Sequence, residues 1–378
     1  MMKQIHLLTS VGITALLCAV TFTGTVFFMR YHDGKLLEKY QRLADLDSYV
    51  QKNYYTEYDN DELINTMLKG YVSGLGDKYS QYMTPEEYSA LKTREAGKTV
   101  GIGVTVMQDE KGYPLIIEVQ ENSPAESAGL KPEDVILAIE GEDILTMDYE
   151  EAINRIRGEE NTKVTLTVRH DGEEKEFSII RKSFDVTTAG GEMLDGHIGY
   201  IYITNFRENT ADQFLTVLND LISQGADALI FDVRNDGGGL LSALEKMLDP
   251  LLPEGEIATA TYHGDKTETV LKSDAKELNL PIAILVNGNT ASAAELFSAS
   301  LRDFKQAKLV GTQTFGKGIM QVTTPMEDGG GLTLTVATYQ TTKSECYHGI
   351  GLTPDIVIEP DENSETDVQL EAAKKLFE

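Results

Sequence analysis

From about residue 184 onward, short apolar runs of strand length alternate with helical patterns, and this alternation limits the fold more than any other feature. Between the first two runs, residues 210–223 place Phe214, Leu218 and Leu221 on one helical face. Such alternation is typical of a sheet covered by helices. We therefore predict an α/β layer, followed by a hairpin over residues 318–341 and an amphipathic helix over residues 368–377. The strand-length runs are residues 197–203, 228–233, 281–286 and 307–310.

Residues 98–182 instead form short β runs around one helical stretch, residues 149–157. Four ordered segments resemble a PDZ domain, whereas the first alone would be interpreted as a tight turn. A PDZ glycine loop holds a peptide's C-terminal carboxylate through backbone N–H groups while the peptide adds a strand to the sheet. Here Ile102, Gly103 and Val104 would occupy that loop. The segments are Gly101-Ile102-Gly103-Val104, Ser123 to Leu130, Asp134-Val135-Ile136 and Ile156-Arg157-Gly158.

Residues 7–29 near the N-terminus carry no charged side chain. As a helix they would reach about 34 Å, enough for a hydrocarbon core of about 30 Å. We interpret residues 1–30 as a retained transmembrane anchor. The alternative is a cleaved signal peptide, but no A-x-A-like site stands out after the apolar stretch. The flanking charges, Lys3 before the span and several Lys and Arg after it, favour a cytoplasmic body.

Composition excludes several classes of function. The formal charge of −28, from 33 Lys and Arg against 61 Asp and Glu, disfavours binding to a nucleic-acid backbone. The two cysteines, Cys18 and Cys346, are not expected to form a disulfide because one lies in the predicted span. No H-E-x-x-H motif or cysteine cluster offers ligands for zinc. We therefore expect no metal and no cofactor.

Ser292 stands where an apolar strand turns into a helix, whose first backbone N–H groups have no helical partner. Such N–H groups can stabilise a developing negative charge, which makes this serine a candidate nucleophile. The simpler interpretation is a capping box, in which Ser292 caps the helix and Glu295 reaches back to it. A further alternative uses Glu295 itself as an acid or base.

Lys317 lies in a loop between Gly316 and Gly318. A lysine acts as a general base only when neutral, so its pKa must fall from about 10.4 through desolvation. We expect Phe315, Ile319 and Met320 to surround it, with no acid beside it in the loop, and Gln321 to orient the amine. The simpler interpretation is an exposed loop lysine.

Residues 237–239 form a glycine run after a buried strand pattern. Their N–H groups could point into a cleft at the carboxyl end of that strand and hold an oxyanion. A phosphate-binding loop is the alternative, but the run lacks the G-K-[ST] ending and the G-x-G-x-x-G spacing. Together with Ser292 and Lys317, the glycine run suggests a Ser-Lys peptidase.

The chain closely resembles the carboxyl-terminal processing peptidases, or tail-specific proteases, from about residue 46 to 360. The resemblance implies a crotonase-like α/β protease core with an inserted PDZ domain, with Ser292 as nucleophile, Lys317 as general base and Gln321 as its positioning residue. The segments that carry it are Gly74 to Asp77, Tyr82-Met83, the PDZ segments, Asp232 to Gly239, Asn287 to Glu295, Gly311 to Gln321 and Gly351 to Asp355.

The same resemblance implies an oxyanion hole from Gly238 or Gly239 with Ala293, and a regulatory relay through Arg157. It also implies an extracytoplasmic catalytic body in a bacterium, which we adopt over the flanking charges. One departure is Asp236-Gly237, where the family more often has Asn-Pro. An acid beside an oxyanion hole would oppose the negative charge that the hole must hold.

Our prediction is a membrane-anchored serine endopeptidase that binds protein C-termini through its PDZ domain and cleaves by acyl-enzyme chemistry. The alternative is a non-catalytic PDZ adaptor on a degenerate protease scaffold. We expect protein or peptide substrates, no nucleic acid, and a homodimer through helical ends. The predicted divisions are residues 1–30 (transmembrane anchor), 31–95 (N-terminal helical region), 96–183 (PDZ domain), 184–360 (peptidase core) and 361–378 (C-terminal helical tail).

Overall fold

A computed structural model describes residues 40–274, 277–361, 364 and 366–378. The chain divides into two units, Met1–Met67 and Leu68–Glu378. The described part of the first unit holds helix α1, residues 40–53, and the beginning of α2, Asn60–Ser73. None of the described helices is long and apolar enough to cross a membrane. The predicted anchor, residues 1–30, lies outside the described residues.

The second unit contains the remaining elements in the order that the alternation predicts for the peptidase region. Its helices are α3 (Pro85–Glu95), α4 (Pro124–Ala128), α5 (Tyr149–Arg157), α6 (Thr210–Ser223), α7 (Leu241–Leu248), α8 (Ala293–Lys305) and α9 (Val368–Lys374). The strands before the central sheet are β1 (Gln81–Met83), β2 (Lys98–Gly101), β3 (Val104–Gln108), β4 (Pro114–Val119), β5 (Val135–Ile139), β6 (Glu142–Asp143), β7 (Lys163–His170), β8 (Glu173–Ile180) and β9 (Lys182–Asp185). The others are β10 (Ala189–Leu194), β11 (Ile198–Ile203), β12 (Ala228–Asp232), β13 (Gly255–Tyr262), β14 (Lys266–Ser273), β15 (Ile282–Val286), β16 (Lys308–Gly311), β17 (Ile319–Pro325), β18 (Gly331–Thr341) and β19 (Ile356–Val357).

The central sheet has the order β10-β11-β12-β15-β16-β19, and all its pairs are parallel except β10 with β11. Every residue of β12 and β15 is buried, as expected for parallel strands covered on both faces. Helices α6, α7 and α8 contribute to the large core on one face, whereas α9 packs on the other. The predicted α/β layer is confirmed, and α6 has the predicted bounds.

A second sheet carries the predicted hairpin, β17 with β18. Strand β18 also pairs with β13 and with β1, so it joins the hairpin to an antiparallel ribbon, β13–β14, and to the segment before α3. Thr84 caps α3 in a capping box: its side chain accepts from Glu87 N, and the Glu87 carboxylate accepts from Thr84 N. The sheet therefore brings residues from before the PDZ region beside those near residue 320.

The PDZ region forms its own sheet, β3-β4-β5-β7-β8, around a separate apolar core. Helix α5 has the predicted bounds. Strand β3 is the edge of this sheet within the described residues, which leaves one side free for an added peptide strand. A groove of about 570 Å³ runs between β3 and α5.

A two-stranded ribbon, β2 with β9, connects this region to the rest of the unit. At its base, Val186 N donates to Gly97 O at 2.8 Å. The Asn209 side chain joins the same two residues, because its Nδ2 donates to Gly97 O and to Val186 O, both at 3.1 Å. Gly97 has φ of 72°, and a Cβ there would lie 1.9 Å from Asn209 Oδ1, so a glycine is required.

Candidate active site

One cavity of about 490 Å³ opens at the carboxyl ends of the central parallel strands. Ligand sites in open α/β sheets occupy this edge, because the loops that follow the strands meet there. The cavity collects every predicted catalytic and oxyanion residue. Its lining includes Ser292 and Ala293 after β15, Gly237 to Gly239 after β12, Lys317 and Gln321 near β17, Tyr339 of β18, and Arg94, Glu95 and Arg207 at the side.

Ser292 is the N-cap residue of α8 and has an unusual backbone conformation, φ 58° and ψ −118°. A non-glycine residue with positive φ is strained and is held there by its surroundings. The glycine run supplies part of that constraint. A Cβ on Gly238 would lie 2.7 Å from Ala291 O and 2.8 Å from Ser292 Cβ, so only glycine allows this close approach.

Glu295 is fully buried, and its carboxylate accepts four hydrogen bonds. One comes from Ser292 N at 3.0 Å, which is half of the predicted capping box. The other three come from the segment around Lys317: Thr314 Oγ1 at 2.6 Å, Gly316 N at 2.7 Å and Lys317 N at 2.8 Å. Glu295 therefore joins the serine turn to the lysine loop, and no free carboxylate oxygen is left for proton transfer.

Lys317 is half-buried, and burial lowers the pKa of its amine, as the sequence argument requires. The nearby carboxylates of Asp77 and Glu295 oppose that shift, and the cation of Lys78 adds to it. The loop itself carries no acid, as predicted, but the fold brings the carboxylates of Asp77 and Glu295 near the amine from segments distant in sequence.

The lysine amine lies over the ring of Tyr79, with Nζ 4.7 Å from the ring centroid. This distance is typical of a cation–π contact. Phe315 does not surround Lys317 as predicted, because its side chain is half exposed and faces Lys78 Nζ at 5.4 Å. Within the described part of the chain, no hydrogen bond joins Lys317 Nζ to Ser292 Oγ. The amine and the hydroxyl therefore line the same cavity without a hydrogen bond between them.

Gln321 lies on β17 at a register shift and lines the same cavity. Its Nε2 donates to Thr335 Oγ1 at 3.2 Å and to Ile319 O at 3.4 Å. It makes no hydrogen bond to Lys317 among the described residues. The Gln321 amide is thus held by hydrogen bonds to β17 and β18, and it lines the cavity that Lys317 also lines.

Tyr339 is a site residue that the sequence argument missed. Its hydroxyl donates to Lys317 O at 3.0 Å and lies 3.4 Å from Ser292 Oγ. Burial raises the pKa of this phenol, so it remains a neutral donor. It is one of several inward-facing residues in the alternating pattern of β18, and no local motif distinguishes it from the others.

The glycine run follows β12 and lies against Ser292, but one of its N–H groups is already used. Gly238 N donates to Asp236 Oδ1 at 2.7 Å. The N–H groups of Gly239 and Ala293 donate to no other group in the described residues. Of the predicted oxyanion donors, these two remain free.

Asp236 is fully buried, and its Oδ2 has no hydrogen-bond partner within the described residues. Burial raises its pKa to about 8, and the bond from Gly238 N opposes this only in part. At neutral pH the carboxyl is therefore mostly protonated. From the sequence, Asp236 was expected to carry a negative charge that repels the oxyanion, and protonation of its carboxyl removes most of that charge.

The PDZ residues lie apart from this cavity. Ile102, Gly103 and Val104 line the groove beside β3, and Ile102 is buried. The N–H groups of Ile102 and Gly103 donate no backbone hydrogen bond within the described chain, as a carboxylate-binding loop requires. Arg157 is exposed at the end of α5 and lines the groove, but it does not reach the catalytic cavity.

Comparisons with known proteins agree with these two regions. The profile of peptidase family S41 matches residues 197–358, and a PDZ domain profile matches residues 115–170. The carboxy-terminal processing protease CtpA of Bacillus subtilis (strain 168) is 33% identical over 323 residues, which are 85% of this chain and 69% of that protein. A probable CtpA-like serine protease of Staphylococcus aureus (strain N315) is 31% identical over 357 residues, 92% and 71% of the two chains.

Among solved structures, the photosystem II D1 C-terminal processing protease is similar to this chain with a TM-score of 0.52. The identity is 24%, and the match covers 91% of this chain and 90% of that one. The shared fold is therefore a mixed α/β protease fold with a PDZ domain. The finer prediction of a crotonase-like core stays a prediction.

We expect Glu295→Gln to lower the free energy of unfolding by about 2 kcal/mol, because the amide nitrogen cannot accept from the donors that now meet it. Urea unfolding measures this loss, with Glu245→Gln on the exposed side of α7 as the matched control. An acid or base role for Glu295 predicts instead that the folded Glu295→Gln variant loses all turnover, which a peptide-cleavage assay of the same variant measures.

We expect Asp236→Asn to stabilise the protein increasingly from pH 4 to pH 8. The folded pKa of about 8 lies above the ordinary value of 3.8, so the unfolded chain releases a proton that the folded chain keeps. The parent therefore loses stability as pH rises through this window, by about 2 kcal/mol or more. Urea unfolding at both pH values tests this, with exposed Asp227→Asn as control. Identical pH dependence of the parent and Asp236→Asn would contradict a neutral buried carboxyl.

Proposed function

The chain belongs to peptidase family S41, as a PDZ-containing relative of the carboxy-terminal processing serine proteases, and on that premise we propose that Ser292 and Lys317 form its catalytic dyad. The observation that carries the proposal is the shared cavity. It holds a strained serine and a lysine of lowered pKa, and one buried carboxylate fixes the backbones of both.

In the proposed reaction, the neutral amine of Lys317 takes the proton of Ser292 Oγ, and Oγ bonds to the carbonyl carbon of the substrate peptide. Since the amine makes no hydrogen bond to Oγ within the described residues, this step requires it to move from its place over the Tyr79 ring into hydrogen-bond distance of Oγ. Gln321 positions the amine after this movement, and the Tyr339 hydroxyl keeps the lysine loop beside the serine. The lysine then gives its proton to the leaving amine as the peptide C–N bond breaks.

Negative charge develops on the substrate's carbonyl oxygen when Oγ attacks. We assign the oxyanion hole to Gly239 N and Ala293 N, because Gly238 N is occupied by Asp236. A water molecule then attacks the acyl carbon while Lys317 accepts its proton. The ester C–Oγ bond breaks, Lys317 returns the proton to Ser292 Oγ, and the new C-terminus leaves as a carboxylic acid. The neutral state of Asp236 keeps a competing negative charge away from this step.

The proposed substrates are unstructured C-terminal tails of proteins. A tail would pair with the free edge of β3, and the N–H groups of Ile102, Gly103 and Val104 would hold its carboxylate. Arg157, at the end of this groove, is the proposed relay residue. No observation favours the alternative of a non-catalytic adaptor.

We expect Ser292→Ala and Lys317→Ala each to lower kcat/KM for an unfolded protein by at least about a thousandfold. The controls are Ser300→Ala, whose buried hydroxyl has no partner among the described residues, and Lys308→Ala on the exposed start of β16. Cleavage of the substrate is followed by mass spectrometry, and circular dichroism confirms folding. A folded Ser292→Ala or Lys317→Ala variant that cleaves at the parental rate would show that the dyad is wrong.

We also propose that residues 1–30 anchor the protein in a bacterial membrane with the catalytic body outside the cytoplasm. The uncharged run over residues 7–29 supports an anchor. The full chain should fractionate with membranes, deletion of residues 1–30 should release it, and external protease should reach the body in intact spheroplasts. A body protected from that protease would place it in the cytoplasm. Homodimer formation stays a prediction.

A further inference from the structure

Residues 206–209 form a junction between three parts of the second unit. The backbone of Phe206 pairs with the glycine run, because Phe206 N donates to Gly238 O at 3.0 Å and Leu240 N to Phe206 O at 2.7 Å. Glu208 N donates to Glu95 O at the end of α3, and Asn209 clasps the base of the PDZ ribbon. Arg207 is therefore held at a fixed place relative to the oxyanion loop and the PDZ domain.

Arg207 is the side chain that lines both cavities described above, the catalytic cavity and the PDZ groove. A peptide that occupies the groove and continues into the catalytic cavity must pass it. Its backbone is fixed by a bond from Arg207 N to Thr210 Oγ1 at 2.9 Å, so the side chain is presented from a rigid turn.

The guanidinium of Arg207 has no protein partner within the described residues. Its Nε is buried without a hydrogen bond, and no carboxylate forms an ion pair with it. Buried guanidinium groups are normally paired, since an unpaired buried donor costs free energy. The unpaired state is notable in a chain with a formal charge of −28.

Arg94, at the end of α3, lines the same side of the catalytic cavity and lies close enough to lower the pKa of Arg207, after the larger effect of burial. Two arginines thus bring positive charge to one wall. Glu95 also lines this cavity, and burial and the nearby Glu208 raise the pKa of its carboxyl, whereas Arg94 lowers it. Neither Arg94 nor Arg207 forms a salt bridge with Glu95 or Glu208 in the described residues.

We propose that Arg207, assisted by Arg94, is a substrate-binding site for a carboxylate of the peptide tail, between the PDZ groove and the scissile bond. The planar guanidinium suits a bidentate carboxylate. The carboxylate is that of an Asp or Glu side chain within the tail, since the tail's own C-terminal carboxylate is assigned to the PDZ loop. The net negative charge of the protein repels acidic peptides elsewhere on its surface. The arginine site therefore determines which acidic residue of a substrate tail is bound. The inference rests on the proposed function, since its ligand is the tail of the substrate.

The test measures binding without turnover, in the full body carrying Ser292→Ala. Fluorescent peptides of one sequence are compared by anisotropy with Glu or Gln at each position in turn, and with a free or amidated C-terminus. We expect Arg207→Gln to weaken binding of the acidic peptide about tenfold and to leave its best-matched neutral counterpart unchanged. Arg207→Lys, which keeps the charge, should restore part of the loss.

The position of the carboxylate is identified by the peptide whose affinity is no longer changed by Arg207→Gln. Loss of this dependence after one Glu→Gln change identifies the side chain that Arg207 binds and supports the site. Loss of the dependence after amidation would mean that Arg207 binds the C-terminus and would overturn the inference. Arg155→Gln is the matched control, because Arg155 forms exposed ion pairs with Glu142 and Glu151 outside both cavities. A charge reversal adds a gain of function, since Arg207→Glu should favour the peptide with Lys at the selected position.

Equal weakening of acidic and neutral peptides by Arg207→Gln, or no weakening by a folded variant, overturns the inference. Thermal unfolding of each variant establishes that it is folded. This failure is separate from failure of the dyad, because binding in the Ser292→Ala background involves no chemistry. The dyad is judged on cleavage by the chain with its native Arg207.

Discussion

The four hydrogen bonds that Glu295 accepts hold the catalytic cavity together. They connect Ser292, at the start of α8, with the loop that carries Thr314, Gly316 and Lys317, and all four donors meet one fully buried carboxylate. Hydrogen bonds to a charged acceptor in a buried place are strong, and leaving a charge there unpaired would be costly. The backbone positions of Ser292 and Lys317, the proposed nucleophile and general base, are therefore set by the same side chain, whereas the lysine amine makes no hydrogen bond within the described residues.

Parallel strands explain why distant segments reach this carboxylate. Strands β12 and β15 end side by side, so the glycine run and the serine turn emerge as neighbours. The antiparallel hairpin β17–β18 then brings Lys317, Gln321 and Tyr339 over them. The N–H groups of Gly239 and Ala293, which have no other acceptor within the described residues, lie in the resulting wall, and such fixed backbone donors suit the proposed oxyanion hole.

The sequence predicted those parts of the structure that depend on local patterns. Helices α5 and α6 follow from the spacing of their apolar residues, and the N-terminus of α8 follows from Ser292 and Glu295 as a capping pair. Strands β13 and β14 were not anticipated, although their polar–apolar alternation is typical of half-buried strands and Gly264-Asp265 between them is a hairpin-turn signal. The contacts of Lys317 with Asp77 and Tyr79 were missed because they join segments more than two hundred residues apart, which no local pattern reveals. The use of Gly238 N by Asp236 depends on loop geometry that the glycine run alone does not specify.

The paired strands β2 and β9 have a consequence for how the chain assembles. They bring Gly97 and Val186 into contact, so the PDZ insertion enters and leaves the protease fold at one point. With its own apolar core, the insertion can close these ends before the surrounding domain forms. The protease domain is then interrupted by a short, already paired connection instead of a long flexible loop. The entropic cost of closing that loop is borne by the folding of the PDZ insertion itself.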